Sequence, residues 1–76
     1  MQVTVKVHLK SGVLDPQGAA VEHALHNLGY SDVEEVRIGR LITFNVGDDT
    51  TQDRIREMCD RLLANPVIED YEIVDA

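Results

Sequence analysis

The run Val3-Thr4-Val5-Lys6-Val7-His8-Leu9-Lys10-Ser11-Gly12-Val13-Leu14-Asp15-Pro16-Gln17-Gly18 passes from a strand to a helix within a few residues, and that transition decides the fold. Val3, Val5, Val7 and Leu9 alternate with Thr4, Lys6, His8 and Lys10, the period of two expected where one strand face is buried and the other wet. Ser11 and Gly12 interrupt the alternation. Asp15 then supplies a carboxylate at an N-cap, and Pro16 a first helical residue whose missing N–H costs nothing. Ala20, Ala24, Leu25 and Leu28 recur three or four apart, and Gly29 stands where a C-terminal glycine is wanted, which predicts a helix from about Pro16 to Leu28.

Downstream, Val36, Ile38, Ile42, Phe44 and Val46 share one parity, with Arg40 among them on the face that should be buried. Two arrangements answer this pattern. One is a single long strand through Val33 to Val46, bent or bulged at Gly39; the other is a hairpin whose loop is Gly39-Arg40-Leu41, which sets Ile38 opposite Ile42 and Val36 opposite Phe44. Periodicity leaves both open. Asp48-Asp49-Thr50-Thr51 is a cluster of capping residues, and Ile55, Met58, Cys59, Leu62 and Leu63 form the apolar stripe of a second helix that Asn65-Pro66 ends. A last strand, about Val67 to Val74, is partly apolar on both faces. The order β-α-β-α-β, its middle β element a long bent strand or a hairpin, predicts an α+β two-layer sandwich. Two helices lie on one face of an antiparallel sheet, an arrangement related to the ferredoxin-like fold.

The 76 residues predict one domain, 1–76, with a limited core, since a chain this short buries only about 60% of its unfolded surface. Apolar residues make up 43% of the chain, but only Phe44, Tyr30 and Tyr71 are aromatic, so the core must be aliphatic. Cys59 is the only cysteine, which excludes an internal disulfide and argues against secretion. No apolar run approaches the roughly 20 residues of a bilayer span, and the first residues lack the basic and apolar blocks of a leader, so a soluble, cytoplasmic protein is expected. Formal net charge is −7, concentrated from Asp48 onward, where nine acids face three arginines. That surface repels phosphate backbones and anionic headgroups, which argues against nucleic-acid and membrane partners. A small core and open sheet edges both point to pairing with a second copy.

No reactive constellation stands out. His23 and His26 lie three apart on the first helix, but a zinc site needs three or four ligands, and the two read as polar helix positions, as does His8 on the wet face of the first strand. Cys59 falls within an apolar stripe and reads as a core residue. Glu34-Glu35, Asp48-Asp49 and Glu69-Asp70 sit beside turns or on exposed register, where solvated charge is the default. The glycines at 12, 18, 29, 39 and 47 match no phosphate-binding pattern. The Lys10 to Gly18 segment is more specialised than a strand–helix junction requires. Capping explains Asp15 and Pro16, but Gly18 is a poor first-turn residue. Close approach of something else to its backbone would explain it, whether at a crowded strand–helix junction or from a partner.

Four segments in order resemble one family. Lys10 to Gly18 resembles the K-x-G-[IV]-L-D-P-Q-G signature of PurS proteins, Ala24 to Tyr30 their L-x-x-L-G-[FY] helix end, Val33 to Arg40 their V-x-x-V-R-x-G-[KR] run, and Leu62 to Tyr71 their L-L-A-N-P-V-I-E-x-[YF] close. The resemblance implies a non-catalytic subunit of phosphoribosylformylglycinamidine synthase that forms a dimer or tetramer and bridges a glutaminase subunit, PurQ, and a synthetase subunit, PurL. The complex it implies converts formylglycinamide ribonucleotide to formylglycinamidine ribonucleotide; the ATP, Mg and glutamine belong to the partners, and no cofactor belongs to this chain. Lys10, Gly12, Asp15, Pro16, Gln17 and Gly18, with Asn65 and Pro66, become the expected partner-contact residues. The alternative is a ferredoxin-like regulatory module that binds a small molecule between paired domains.

Overall fold

Three valines on one face of one strand carry the core. In the computed structural model, which describes residues 1–75, β1 (Gln2–Leu9) is the central strand of a three-stranded antiparallel sheet, flanked by β2 (Arg40–Asn45) and β3 (Glu69–Asp75). Val3, Val5 and Val7 are at most 1% exposed, because a central strand has neighbours on both edges and a helix on one face. Burying each such side chain is worth about 1.5–3 kcal/mol. Opposite them on β2 lie Phe44, Ile42 and Arg40, and on β3 Ile73 and Tyr71 face Val5 and Val7. The β3 register slips between Thr4 and Val5, leaving Val74 as an extra, bulged residue.

Helix α2 (Gln52–Met58) covers this face with Ile55, fully buried. Of the four candidate capping residues, Thr51 takes the role, its Oγ1 accepting from the Arg54 N–H at 3.3 Å. The helix continues as a π-helical turn, Cys59–Leu63, in which the Ala64 N–H donates to the Cys59 carbonyl five residues back. The wider turn rotates the chain relative to a regular helix. Cys59, four residues after Ile55, stays on the core face, while past this turn Leu62, expected on the buried stripe, is 82% exposed.

Helix α1 (Pro16–Asn27) begins and ends as the sequence predicts, with Asp15 as its N-cap and Leu28 as its C-cap. The Gly29 and Tyr30 N–H groups close it on the carbonyls of His26 and Leu25, the Schellman pattern. The fold is α+β, two helices on a three-stranded antiparallel sheet. Most of the side chains of α1 remain accessible, Val21 at 40% and the neighbouring Leu28 at 73%, and the molecule is drawn out to 50 × 24 × 14 Å.

The hairpin alternative is not formed within the chain. Residues 33–39 make no ladder with β2, which starts at Arg40. They pass beside α1 instead, with Glu35 in the left-handed region (φ 55°), and enter β2 after Gly39, where a Cβ would lie 2.5 Å from the Val7 carbonyl oxygen. Arg40, out of place in the apolar parity, reaches over the sheet to other partners described below.

Candidate functional site

The C-terminal end of β1 and the N-terminal ends of β2 and β3 meet at one end of the sheet, and this is where the predicted contact segments gather. Asp15 organises the first of them. The residue is 6% exposed; Oδ1 accepts from the Gly18 N–H at 2.8 Å and Oδ2 from the Ile38 N–H at 2.7 Å. These two bonds, the one from Ile38 above all, hold its carboxyl below the ordinary value of 3.8, with the Arg37 guanidinium adding to them. The Gly18 backbone lies against the Val36 carbonyl oxygen, so closely that any Cβ would collide with it and crowd the Asp15 carboxylate. The close approach inferred from the sequence thus comes from the chain's own segment.

Arg37, which the sequence did not single out, clamps the same loop. Its Nη1 donates to the Val13 carbonyl at 2.8 Å and its Nη2 to the Lys10 carbonyl at 3.3 Å. Glu22 Oε1 accepts from the Val36 N–H, and His26 Nε2 lies 2.6 Å from the Val33 carbonyl. Loop, helix and extended segment are thereby interlocked through side chain to backbone bonds.

The second segment is held from across the sheet. Arg40 donates from Nη1 to Glu69 Oε2 at 2.8 Å and from Nη2 both to Glu69 Oε1 and to the Leu63 carbonyl at the end of the π-helical turn. Glu69 Oε1 also accepts from the Asn65 N–H at 2.7 Å, while Asn65 Oδ1 accepts from the Val67 N–H. The Asn65 N–H, first, and then Arg40 lower the Glu69 carboxyl from its usual 4.5. Lys10 ties the two segments together: its N–H donates to the Ile68 carbonyl at 2.8 Å and its Nζ lies 3.4 Å from Asp70 Oδ1.

Of the eight predicted residues, Asp15 and Gly18 are buried and act inside the chain. Lys10 is half-buried, and Gly12, Pro16, Gln17, Asn65 and Pro66 are exposed. Pro16, Gln17, Arg40 and Glu69 line one hollow, and Lys10 and Pro66 line the next, with Asp60 and Tyr71. Sequence reasoning missed Arg37 and Glu69 as the fasteners; Arg40, charged within an apolar parity, was the one visible signal. Among the described residues no three or more His, Cys, Asp or Glu side chains are grouped to hold a metal, and no helix is long and apolar enough to cross a membrane. Cys59 is buried, and burial, then the Asp60 charge, pushes its thiol above 9.0.

The chain is thus an antiparallel α+β domain whose most organised surface is a pair of interlocked loops. The family model of PurS, phosphoribosylformylglycinamidine (FGAM) synthase, matches residues 2–75, and the chain belongs to that family. The phosphoribosylformylglycinamidine synthase subunit PurS of Bacillus subtilis (strain 168) is 51% identical over 72 residues, covering 92% of this chain and 86% of that one. Its counterpart in Methanocaldococcus jannaschii is 41% identical over 75 residues, covering 95% and 90%. Among solved structures, B. subtilis PurS matches with a TM-score of 0.86 at 50% identity, over 95% of this chain and 92% of that one. A chain of the structure of PurLQS from Thermotoga maritima matches with a TM-score of 0.77 at 26% identity, over 100% and 99%.

Proposed function

We propose that this chain is the small, non-catalytic subunit of a phosphoribosylformylglycinamidine synthase and joins a glutaminase subunit, PurQ, to a synthetase subunit, PurL, in purine biosynthesis. The observation that carries this reading is membership of the PurS family over residues 2–75, a family with a representative in a PurLQS structure. On this reading the glutaminase releases ammonia from glutamine. The synthetase uses it, with ATP and Mg, to convert formylglycinamide ribonucleotide to formylglycinamidine ribonucleotide. This chain supplies neither nucleophile nor base; it acts in the cytoplasm as one domain and associates with itself as a dimer or tetramer.

Lys10, Gly12, Pro16, Gln17, Asn65 and Pro66 are the accessible contact residues of this reading, and Asp15 and Gly18 set their positions from within. What supports it is rigidity: the Asp15, Arg37 and Arg40 bonds order these loops before any partner arrives, so docking costs less conformational entropy. Reconstitution tests the reading. With purified PurQ and PurL, adding this chain should restore glutamine-dependent synthesis, and omitting it should leave only turnover with free ammonia. Full glutamine-dependent activity without it would overturn the proposal, as would glutaminase or ATPase activity in this chain alone.

A further inference from the structure

Leu14 stands clear of the fold. It is 80% exposed, while Val13 before it is half-buried and Asp15 after it is buried. A lone exposed leucine on a loose loop is ordinary. This one is fixed on both sides. The Val13 N–H donates to the Lys10 carbonyl at 3.1 Å, closing a turn through Gly12 at φ 85°. The Arg37 guanidinium donates to the Val13 and Lys10 carbonyls, and the Asp15 carboxylate accepts from the Ile38 N–H. The chain on either side of Leu14 is thereby ordered by groups 23 to 27 residues away, yet the leucine they hold out takes no part in the core. Leu14 shares a hollow with Ser11, Gly12, Ala19 and Glu35. Glu35 sits in the left-handed region, which a glutamate enters only at a cost, and its carboxylate has no ion-pair partner among the described residues. Across the three hollows at this end of the sheet, five carboxylates face Lys10, Arg37 and Arg40, a net −2 with His8 neutral.

We infer that Leu14 is the anchor by which this chain docks on a catalytic partner subunit, entering an apolar socket that carries a lysine or arginine at its rim for Glu35, and that Arg37 is its positioning residue. The inference rests on the bridging function proposed above and names the contact that serves it. Charge decides the occupant. A second copy would bring the same excess of carboxylates to this end and be repelled, whereas a basic rim is drawn to it. Order decides the anchor. A loop already held in place loses little freedom on docking, and one well-buried side chain at the centre of an interface carries a large share of the binding energy. Arg37 serves by fixing the carbonyl that precedes Leu14, so that the leucine meets its socket in one orientation. Glu35, held at φ 55° beside it, keeps a carboxylate where the socket's rim arrives.

In a mixture with PurQ and PurL, Leu14→Ser should raise the concentration of this chain that gives half of the glutamine-dependent rate by about tenfold to a hundredfold, with the plateau unchanged. Its circular dichroism spectrum and sedimentation should match the wild type, since Leu14 lies outside the core. Arg37→Ala should raise the same concentration about tenfold in the wild-type background and little in the Leu14→Ser background, because the guanidinium acts through the leucine; a merely structural role would add in both. Glu35→Gln should remove part of the salt dependence of that concentration. Leu14→Cys carrying a photoactivated cross-linker, in a Cys59→Ala background, should attach to PurQ or PurL. An unchanged half-saturating concentration or an altered sedimentation for Leu14→Ser, or attachment only to a second copy, would overturn the anchor and leave the bridging function standing. Failure of the wild-type chain to restore glutamine-dependent synthesis would remove both.

Discussion

Arg40 and Glu69 stand on the two outer strands of the sheet, with β1 between them, and their side chains meet over it at 2.8 Å. Because Arg40 is opposite Val7 and Glu69 opposite Leu9, both project from the helix face, where the guanidinium also caps the Leu63 carbonyl. One bidentate contact thus fastens β2, β3 and the end of the π-helical turn. Half of the Arg40 side chain is exposed, so solvent screens the pair; a double-mutant cycle of Arg40→Ala and Glu69→Gln should give a coupling of about 1 kcal/mol, falling with added salt. Arg40→Lys should not restore it, since an ammonium cannot serve the two carboxylate oxygens and the carbonyl in one plane. A cycle with no coupling at low salt would refute the fastening.

Gly18→Ala sets two effects in opposition. Alanine gains up to about 1 kcal/mol of helix propensity, less in a first turn. Its methyl group would strike the Val36 carbonyl and crowd the Asp15 carboxylate, an overpacking that costs about 1–3 kcal/mol. Chemical denaturation should show a net loss of stability. A more stable variant would mean that residues 33–39 yield without cost.

Acid should release the interlocked end first. Asp15 and Glu69 both titrate below their ordinary values of 3.8 and 4.5, held there chiefly by the Ile38 and Asn65 N–H groups respectively. A carboxyl with a lower pKa folded than unfolded stabilises the fold above its unfolded value, and loses that contribution as pH falls through the folded value. Urea midpoints should hold through neutral pH and fall below about pH 4. Asp15→Asn should be less stable at neutral pH and lose less on acidification; an unchanged acid response would exclude Asp15 as a source.

Ile55 and Cys59 are fully buried against the valines of β1. Ile55→Ala should cost about 2–5 kcal/mol, a large share of the stability of so small a chain, measured as a shift in the denaturation midpoint. The Cys59 thiol, its ionisation suppressed by burial, should react with a thiol reagent only as fast as the protein unfolds. Rapid labelling of the native protein would show that the π-helical turn opens readily.

By itself the sequence determined what depends on neighbours along the chain. The alternation of Val3, Val5 and Val7 set the buried strand face, and Asp15-Pro16 and Gly29 set the bounds of α1, because a pleat and a helix end are local geometries. The Lys10 to Gly18 segment was legible as unusual, and Asn65-Pro66 as the end of the second helix, for the same reason. Only the tertiary structure decided that Leu62 faces out, that residues 33–39 run beside α1 without folding back on β2, and that Arg40 crosses to Glu69. The first follows from the π-helical turn, and the other two turn on groups 23 to 29 residues apart, Asp15 with the Ile38 N–H and Arg40 with Glu69, whose meeting no period along the chain encodes.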